Sequence, residues 1–482
     1  MATQSVFERP VLEVAKPTQL AVRPIAAPKK IHPVFWAFLL IYLGTWAGHY
    51  TSADAAQKIQ WARQIIAGGP YWVDLTTGNA PKYGIGHSLI SIPPLIAARL
   101  VNRFTGIHAE APFYTLLFVL NSALLVYLVA RYLRDRGYST SNIWMTACAV
   151  GLATSWWPYS KLDASECVVA TLFMTALVLL LENHPILAFT CASFMVLLRS
   201  DAAILLLLLV GWELWRNKFR VRWLTVAVGI GPTALFYCFV NYMRFGTILD
   251  HGYHGEPFSN PLLFGVYGIL FSAGKSVFLF SPALLLGFLG WRRFRERLPQ
   301  DAVLFAAVFT TQLLLYARWW DWSGDDSWGV RFMLPSVVLM TIPCVELLSR
   351  RRLLTAAALT AGLLVQLPAL LLPPLEYVVF LHSAPFTRQS VYVDDEHTRS
   401  RLDFEDMRYN PRYSELSAGY ALLELRLGIA PPPTSAEEQG RTGTPVVDIL
   451  RSLPEPQGCR WDLIWCHLHS RPDQHIAARR QP

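Results

Sequence analysis

Apolar residues in this chain come in runs long enough to cross a bilayer, and the runs recur along most of its length. A helix of about 20 apolar residues spans the hydrocarbon core. Such runs occupy residues 33–50, 112–131, 142–158, 166–182, 185–199, 201–215, 222–243, 276–291, 302–318, 333–349 and 353–372. They predict an all-α polytopic membrane protein with about eleven transmembrane helices, because helices satisfy their own backbone groups in lipid. The pair 185–199 and 201–215 is short, and reads as two spans or as a partial hairpin. The stretch 85–101 contains Pro93-Pro94 and reads as interfacial or re-entrant. The chain is 53% apolar and only 16% charged, where an average soluble domain carries roughly 25% charge. Disordered, collagen-like and disulfide-scaffold chains are thereby excluded.

The basic residues indicate orientation. Tight clusters (RYLRDR at 131–136, RNKFRVR at 216–222, RRFRER at 292–297, SRRR at 349–352) alternate with segments whose Lys and Arg are single and dispersed. By the positive-inside rule the clusters are cytoplasmic. The N-terminal tail, 1–32, is then cytoplasmic too, and an odd number of spans puts 373–482 outside. The first apolar run has no small-residue cleavage site after it and reads as a retained anchor. The net charge of +8 mostly reflects these clusters, so no nucleic-acid partner is expected. The chain divides into a cytoplasmic tail (1–32), a membrane domain (33–372) and an extracytoplasmic appendage (373–482). In the appendage, AGYALLELRLG reads as one short amphipathic helix. Cys148, Cys167, Cys191, Cys238 and Cys344 lie singly in or beside apolar runs as small buried residues. Cys459 and Cys466 can pair if the tail faces an oxidising compartment.

The cytoplasmic loops carry no nucleotide-binding signature, neither GxxxxGK[ST] nor GxGxxG. Chemically varied residues gather on the opposite face. The first outer loop holds Asp54, Lys58, Lys82, Tyr83 and His87. The second holds Lys161, Asp163 and Glu166. The loop after the seventh span holds Arg244 and Lys275, and ARWWDWSGDDSWGVRF follows the ninth. Asp54 reads either as a first-turn helix acid favoured by the dipole or as a general base. Lys82 is an ordinary interfacial lysine or a lipid-phosphate ligand. Lys275, at the mouth of a span, must snorkel or pair with an anion. Arg199 forms an internal ion pair with Asp201 or meets a lipid phosphate. Glu166, at an apolar helix entrance, is costly unless used or paired. Asp325 and Asp326 form a solvated turn or hold a divalent metal ion. No cofactor is demanded, and a metal requirement is left open.

Taken in order, several motifs share one face. An acid follows the first span. Lys82–Leu89 (KYGIGHSL), Ser165-Glu166, Asn241–Gly246 (NYMRFG), Gly268–Lys275 (GILFSAGK) and Ser327–Phe332 (SWGVRF) follow it. This set resembles the bacterial branch of the GT-C glycosyltransferases. Those are polyprenyl-phosphate-sugar-dependent membrane enzymes similar to protein O-mannosyltransferases and the lipid A aminoarabinose transferase. The resemblance covers about residues 33–372 and implies extracytoplasmic transfer of a sugar from a polyprenyl-phosphate-linked donor. It implies that Asp54 is the active-site acid, with Glu166 and Asp163 as further acidic candidates. It also implies that Lys82 and Tyr83, with Lys275, Arg331 and Arg244, lie at the donor phosphate. Many relatives carry two adjacent acids in the first loop, whereas Ala55 follows Asp54 here, which weakens metal binding at that point.

The expected chemistry is a single displacement with inversion, since no second carboxylate at retaining-enzyme spacing can be argued. The expected location is a multi-pass plasma membrane, with membrane lipid, the donor and an extracytoplasmic acceptor as partners. The acceptor is a glycan, lipid or protein hydroxyl. Two competing functions use the same residues: transport or flipping of a lipid-linked sugar, and a non-catalytic membrane scaffold. A transporter would show inverted repeats with helices broken at midplane, and no such internal symmetry is visible.

Overall fold

The computed structural model describes residues 32–51, 53–73, 80–220, 223–250, 252–253, 256–348, 350–381, 406–429 and 461–467. Among them all regular structure is helical. The N-terminal tail to residue 31 and Cys459, on which the expected pairing with Cys466 depends, lie outside the described residues.

Helix α1 (His32–Gly44) leads to α2 (Ala53–Ile66) and α3 (Ile85–Thr105). The long α4 (Glu110–Asp135) and α5 (Thr140–Leu152) follow, then α6 (Ser165–Leu181), α7 (Pro185–Leu198), α8 (Ala203–Arg216) and α9 (Trp223–Phe245). The second half contains α10 (Leu262–Phe271), α11 (Val277–Phe280), α12 (Ala283–Arg297), α13 (Pro299–Arg318), α14 (Leu334–Thr341) and α15 (Arg352–Leu371). The short α16 (Pro374–Leu381) and α17 (Asp406–Tyr409) and the longer α18 (Glu415–Leu427) come last, before a turn at Ile464–His467.

Among the described residues, four helices are long and apolar enough to cross a membrane by length and composition: α4, α9, α13 and α15. The other expected spans are shorter helices or are divided. The run 142–158 becomes α5 plus a 3-10 turn at Pro158–Ser160, and 333–349 becomes α14 plus a 3-10 turn at Ile342–Glu346. Pro158 and Pro343 stand in these turns, where a missing N–H costs little. The stretch 85–101 does not break at Pro93-Pro94: α3 continues through both to Thr105. The segment 185–216 is a helical hairpin whose turn contains Arg199, in extended conformation, and Ser200–Ala202. Helix α10 falls within what reads in the sequence as a loop; its ten residues are too few for a span.

The core is an interlocked apolar cluster from α1, α4, α6, α7, α13 and α14, including Phe118, Phe173, Leu177, Phe305, Val308 and Val338. Helix α4 runs through the middle of it. Helix α9 is mostly uncovered, with Leu224, Leu235 and Phe239 turned outward, as suits a helix at a lipid-facing perimeter. The amphipathic helix expected near the C-terminus is α18. It packs against α15 and α16 in a second apolar cluster with Trp328, Tyr377, Phe380 and Leu422. The described part of the C-terminal region is therefore joined to the membrane domain.

Candidate active site

Helix ends converge on one region: the first turns of α2, α3 and α6, the last turns of α7, α9 and α13, and the segment leading into α14. Asp54 sits in the first turn of α2. Ala55, Ile59 and Ala62 bury one face of that helix in the core, which fixes Asp54 beside it. Residues 80–84 then bring Tyr83 back over α2, and the Tyr83 hydroxyl donates to Asp54 Oδ1 at 2.6 Å. Gly84 and Gly86 make this return possible. A Cβ on Gly86 would stand 2.7 Å from the carbonyl carbon of Leu197, and one on Gly84 2.5 Å from the carbonyl oxygen of Leu198. Backbone thus packs on backbone, and the start of α3 meets the end of α7 where Arg199 emerges.

The segment 319–331 supplies the opposite wall. Arg331 places Nη1 3.5 Å from Asp54 Oδ2, Nη2 3.5 Å from Asp325 and Nε 3.9 Å from Glu166. Glu166, only 4% exposed, occupies the first turn of α6, where the helix dipole favours an anion. Its main partner is Arg199 Nη1 at 2.5 Å. Arg199 also pairs with Asp201 at 3.0 Å, and Asp201 accepts from the Tyr316 hydroxyl. Lys82, on the rim, pairs with Glu256 at 3.1 Å.

Two cavities meet along Asp54, Asp325 and Arg331. The larger, about 580 Å³, is lined by Lys58, Lys82, Tyr83, Glu166, Arg199 and Tyr253, together with Leu198, Ile204, Trp319, Trp320 and Phe332. It combines cations with an extended aromatic and aliphatic wall. The smaller, about 380 Å³, is lined by Thr51, Tyr159, Asp163, Asp326, Ser327, Trp328 and Tyr377. Its charge is dominated by carboxylates.

Burial acts to raise the Asp54 carboxyl, but Arg331, Lys58 and the Tyr83 hydroxyl outweigh it and hold Asp54 below the usual carboxylate range. Asp54 is therefore an anion at neutral pH, with a counter-charge at hand. Burial and the nearby Asp54 push the Tyr83 hydroxyl up, so it stays a donor. Burial pulls the Lys58 ammonium below its ordinary range, against the opposing effect of Asp54 and Glu166. Burial and the adjacent Asp325 drive the Asp321 carboxyl well up. Among the described residues, no group of three or more His, Cys, Asp or Glu side chains is placed to hold a metal ion.

Of the residues singled out in the sequence, Asp54, Lys82, Tyr83, Glu166 and Arg331 line the larger cavity, and Asp163 lines the smaller, where it accepts from Thr51 at 2.6 Å. Two residues expected at the donor phosphate lie outside the larger cavity. Lys275 does not line the larger cavity. It is fully buried, with Nζ 2.5 Å from Glu415 Oε1 and hydrogen-bonded to the carbonyls of Asp325 (2.6 Å) and Ser327 (2.5 Å). Burial pushes its ammonium down to about 8 despite Glu415. A charge at the mouth of a span had to find an anion, and found one in the C-terminal region. Arg244 also stays behind the wall. It donates to the Tyr83 carbonyl at 3.0 Å and lies over the rings of Trp61 and Phe245, so it positions Tyr83. Lys58, and Arg199, which the sequence offered as an ion pair with Asp201 or a lipid-phosphate contact, also line the larger cavity. Lys58 was detectable as a charge one turn from Asp54 beside the apolar Ile59. Arg199 was detectable as the joint of the 185–216 hairpin.

Architecture and site together define an all-α polytopic membrane protein with a charged, two-chambered site where its helix ends converge. No family model matches the chain, and no curated protein matches it significantly. Among solved structures it is similar to ArnT from Cupriavidus metallidurans bound to undecaprenyl phosphate, at 14% identity and a TM-score of 0.46, over 83% of this chain and 70% of that one. It is similar to the same organism's ArnT in the apo state at 14% identity and a TM-score of 0.46, over 70% of this chain and 62% of that one.

Proposed function

We propose that this protein is a membrane glycosyltransferase that moves a sugar from a polyprenyl-phosphate donor to an extracytoplasmic hydroxyl. The observation that carries the reading is Asp54: a carboxylate at the junction of two cavities, held ionised between Arg331 and the Tyr83 hydroxyl. The larger chamber suits the donor, whose phosphate meets cations and whose isoprenoid chain meets Leu198, Ile204 and the tryptophans. The smaller, carboxylate-rich chamber suits a neutral hydroxyl acceptor. The acceptor oxygen attacks the anomeric carbon, the carbon–oxygen bond to phosphate breaks, and its electron pair leaves with the phosphate. Arg331 stabilises that developing charge, and Asp54 takes the hydroxyl proton. Glu166, paired with Arg199, holds the cationic side of the donor chamber in place, and Asp163 faces the acceptor. One displacement gives inversion. In this reading the converging helix ends face outward, the N-terminus is cytoplasmic and the C-terminus extracytoplasmic.

The test is sugar transfer by the purified protein in lipid, from a radiolabelled polyprenyl-phosphate sugar to envelope acceptors. Asp54→Asn should slow transfer by about 10²–10⁴-fold, the usual range for loss of a positioned base, while leaving donor binding nearly intact. Movement of labelled lipid between leaflets without transfer would assign the protein to transport instead.

A further inference from the structure

Four cations line the larger cavity, and three of them are already matched. Lys82 pairs with Glu256, Arg199 with Glu166 and Asp201, and Arg331 with Asp54 and Asp325. Lys58 is different. It lies one turn after Asp54 on α2, so the two side chains share a face. It is only 6% exposed. Its Nζ donates to Ser165 Oγ at a long 3.4 Å and sits over the Tyr83 ring, 4.7 Å from the centroid. Among the described residues no carboxylate lies within 4.0 Å of it.

A buried ammonium with one weak hydrogen bond and no carboxylate within ion-pair distance destabilises the fold that contains it. The lowered basicity of Lys58 has the same origin, since burial outweighs the more distant acids. Such a residue persists where a ligand supplies the missing anion. The cavity favours an anion with a long apolar extension, because Leu198, Ile204, Leu315 and Phe332 continue the wall. We propose that Lys58 is the phosphate anchor of the larger cavity, the ammonium that binds the phosphoryl oxygens of a polyprenyl phosphate. Lys82, 43% exposed and already paired, acts at the rim. The assignment rests on the glycosyltransferase reading and extends it to a named ligand of the donor.

Two measurements on the full-length protein in nanodiscs test it: the ligand-free melting temperature, and affinity for undecaprenyl phosphate, with inorganic phosphate as a second probe. Lys58→Met should raise the ligand-free melting temperature, since it removes a charge that folding disfavours. It should also weaken undecaprenyl phosphate binding tenfold or more, the scale of a charge-assisted bond. Lys58→Arg should retain most of the affinity, and Lys82→Met should lose less than Lys58→Met. If Lys58→Met does not fold, Lys58→Gln replaces it. A merely structural lysine would give the opposite sign in the melt, and that result overturns the proposal. Wild-type affinity in Lys58→Met, or a larger loss in Lys82→Met, also overturns it while leaving the glycosyltransferase reading intact. Lys58-dependent binding of inorganic phosphate without any binding of the lipid would keep the anchor and remove the lipid donor. Failure of the wild type to bind either probe ends both.

Discussion

Arg331 stands near one oxygen of Asp54, Lys58 lies one turn away and Tyr83 donates to the other oxygen, and together, against burial, they set the pH at which Asp54 can accept a proton. Its folded pKa lies below the ordinary value. The sign follows: stability from these contacts is fully present above the ordinary carboxylate range and is lost as pH falls through the lower, folded value. Transfer activity has the same acid limb. Tyr83→Phe removes a hydrogen bond to the charged form and should move that limb upward by about half to one pH unit, the equivalent of roughly 1 kcal/mol. A kcat–pH profile reads it, and an unmoved limb would separate Tyr83 from Asp54. The acids and Arg331 were legible in the sequence because each sits in a short motif beside a span. Lys58 was legible only as a charge one turn from Asp54, because its burial beside Tyr83 and Ser165 is a three-dimensional fact. The family resemblance implied a phosphate role for Lys275; its position at a helix mouth required snorkelling or an anion, but the sequence does not show that the anion is Glu415, far along the chain.

At the scale of elements, the site depends on how closely α3 approaches α7. Gly84→Ala would drive a Cβ into the Leu197 and Leu198 carbonyls, and overpacking of this kind costs about 1–3 kcal/mol. It would also part Tyr83 from Arg199, so both the melting temperature and transfer should fall. Gly211, inside α8, is the control. An added Cβ there meets nothing within 4 Å, and alanine should be neutral or stabilising by up to about 1 kcal/mol. Equal losses in the two variants would show that glycine flexibility, rather than close approach, is what matters. The sequence revealed most helices through their apolar runs, but not their ends. Pro93 and Pro94 suggested a break where α3 is continuous, because a helix absorbs lost N–H donors when its neighbours hold it. Helix α10 escaped notice because a ten-residue helix is too short for a span.

For the molecule as a whole, the C-terminal region is tied to the site, among the described residues, by Glu415, Lys275, Arg408 and Asp326. Glu415 pairs with Lys275 at 2.5 Å and Arg408 at 2.8 Å, and Arg408 stands 3.6 Å from Asp326. Lys275 in turn holds the carbonyls of Asp325 and Ser327, in the loop that ends at Arg331. Glu415→Gln would leave two cations facing one anion and should cost about 3 kcal/mol or more, with loss of transfer. In the double variant Lys275→Gln/Glu415→Gln, Arg408 and Asp326 remain balanced, so the melting temperature and part of the activity should return. A double variant no better than the single one would refute charge balance as the cause. None of this was visible in the sequence, where residues 373–482 read as an appendage. Composition separates polar tail from apolar spans but cannot show that α18 packs beneath the loop bearing Asp325 and Arg331.

The same clasp bears on how the protein is made. Residues 406–429 leave the ribosome after all the apolar runs have been synthesised. In the proposed orientation they must also be exported before Glu415 can reach Lys275. A nascent chain can therefore sit in the bilayer with its helices inserted while the Arg331 loop still lacks its support. On the glycosyltransferase reading, competence for transfer would arrive last, as a late event of biogenesis, and a chain stalled before residue 406 would be membrane-bound and inert.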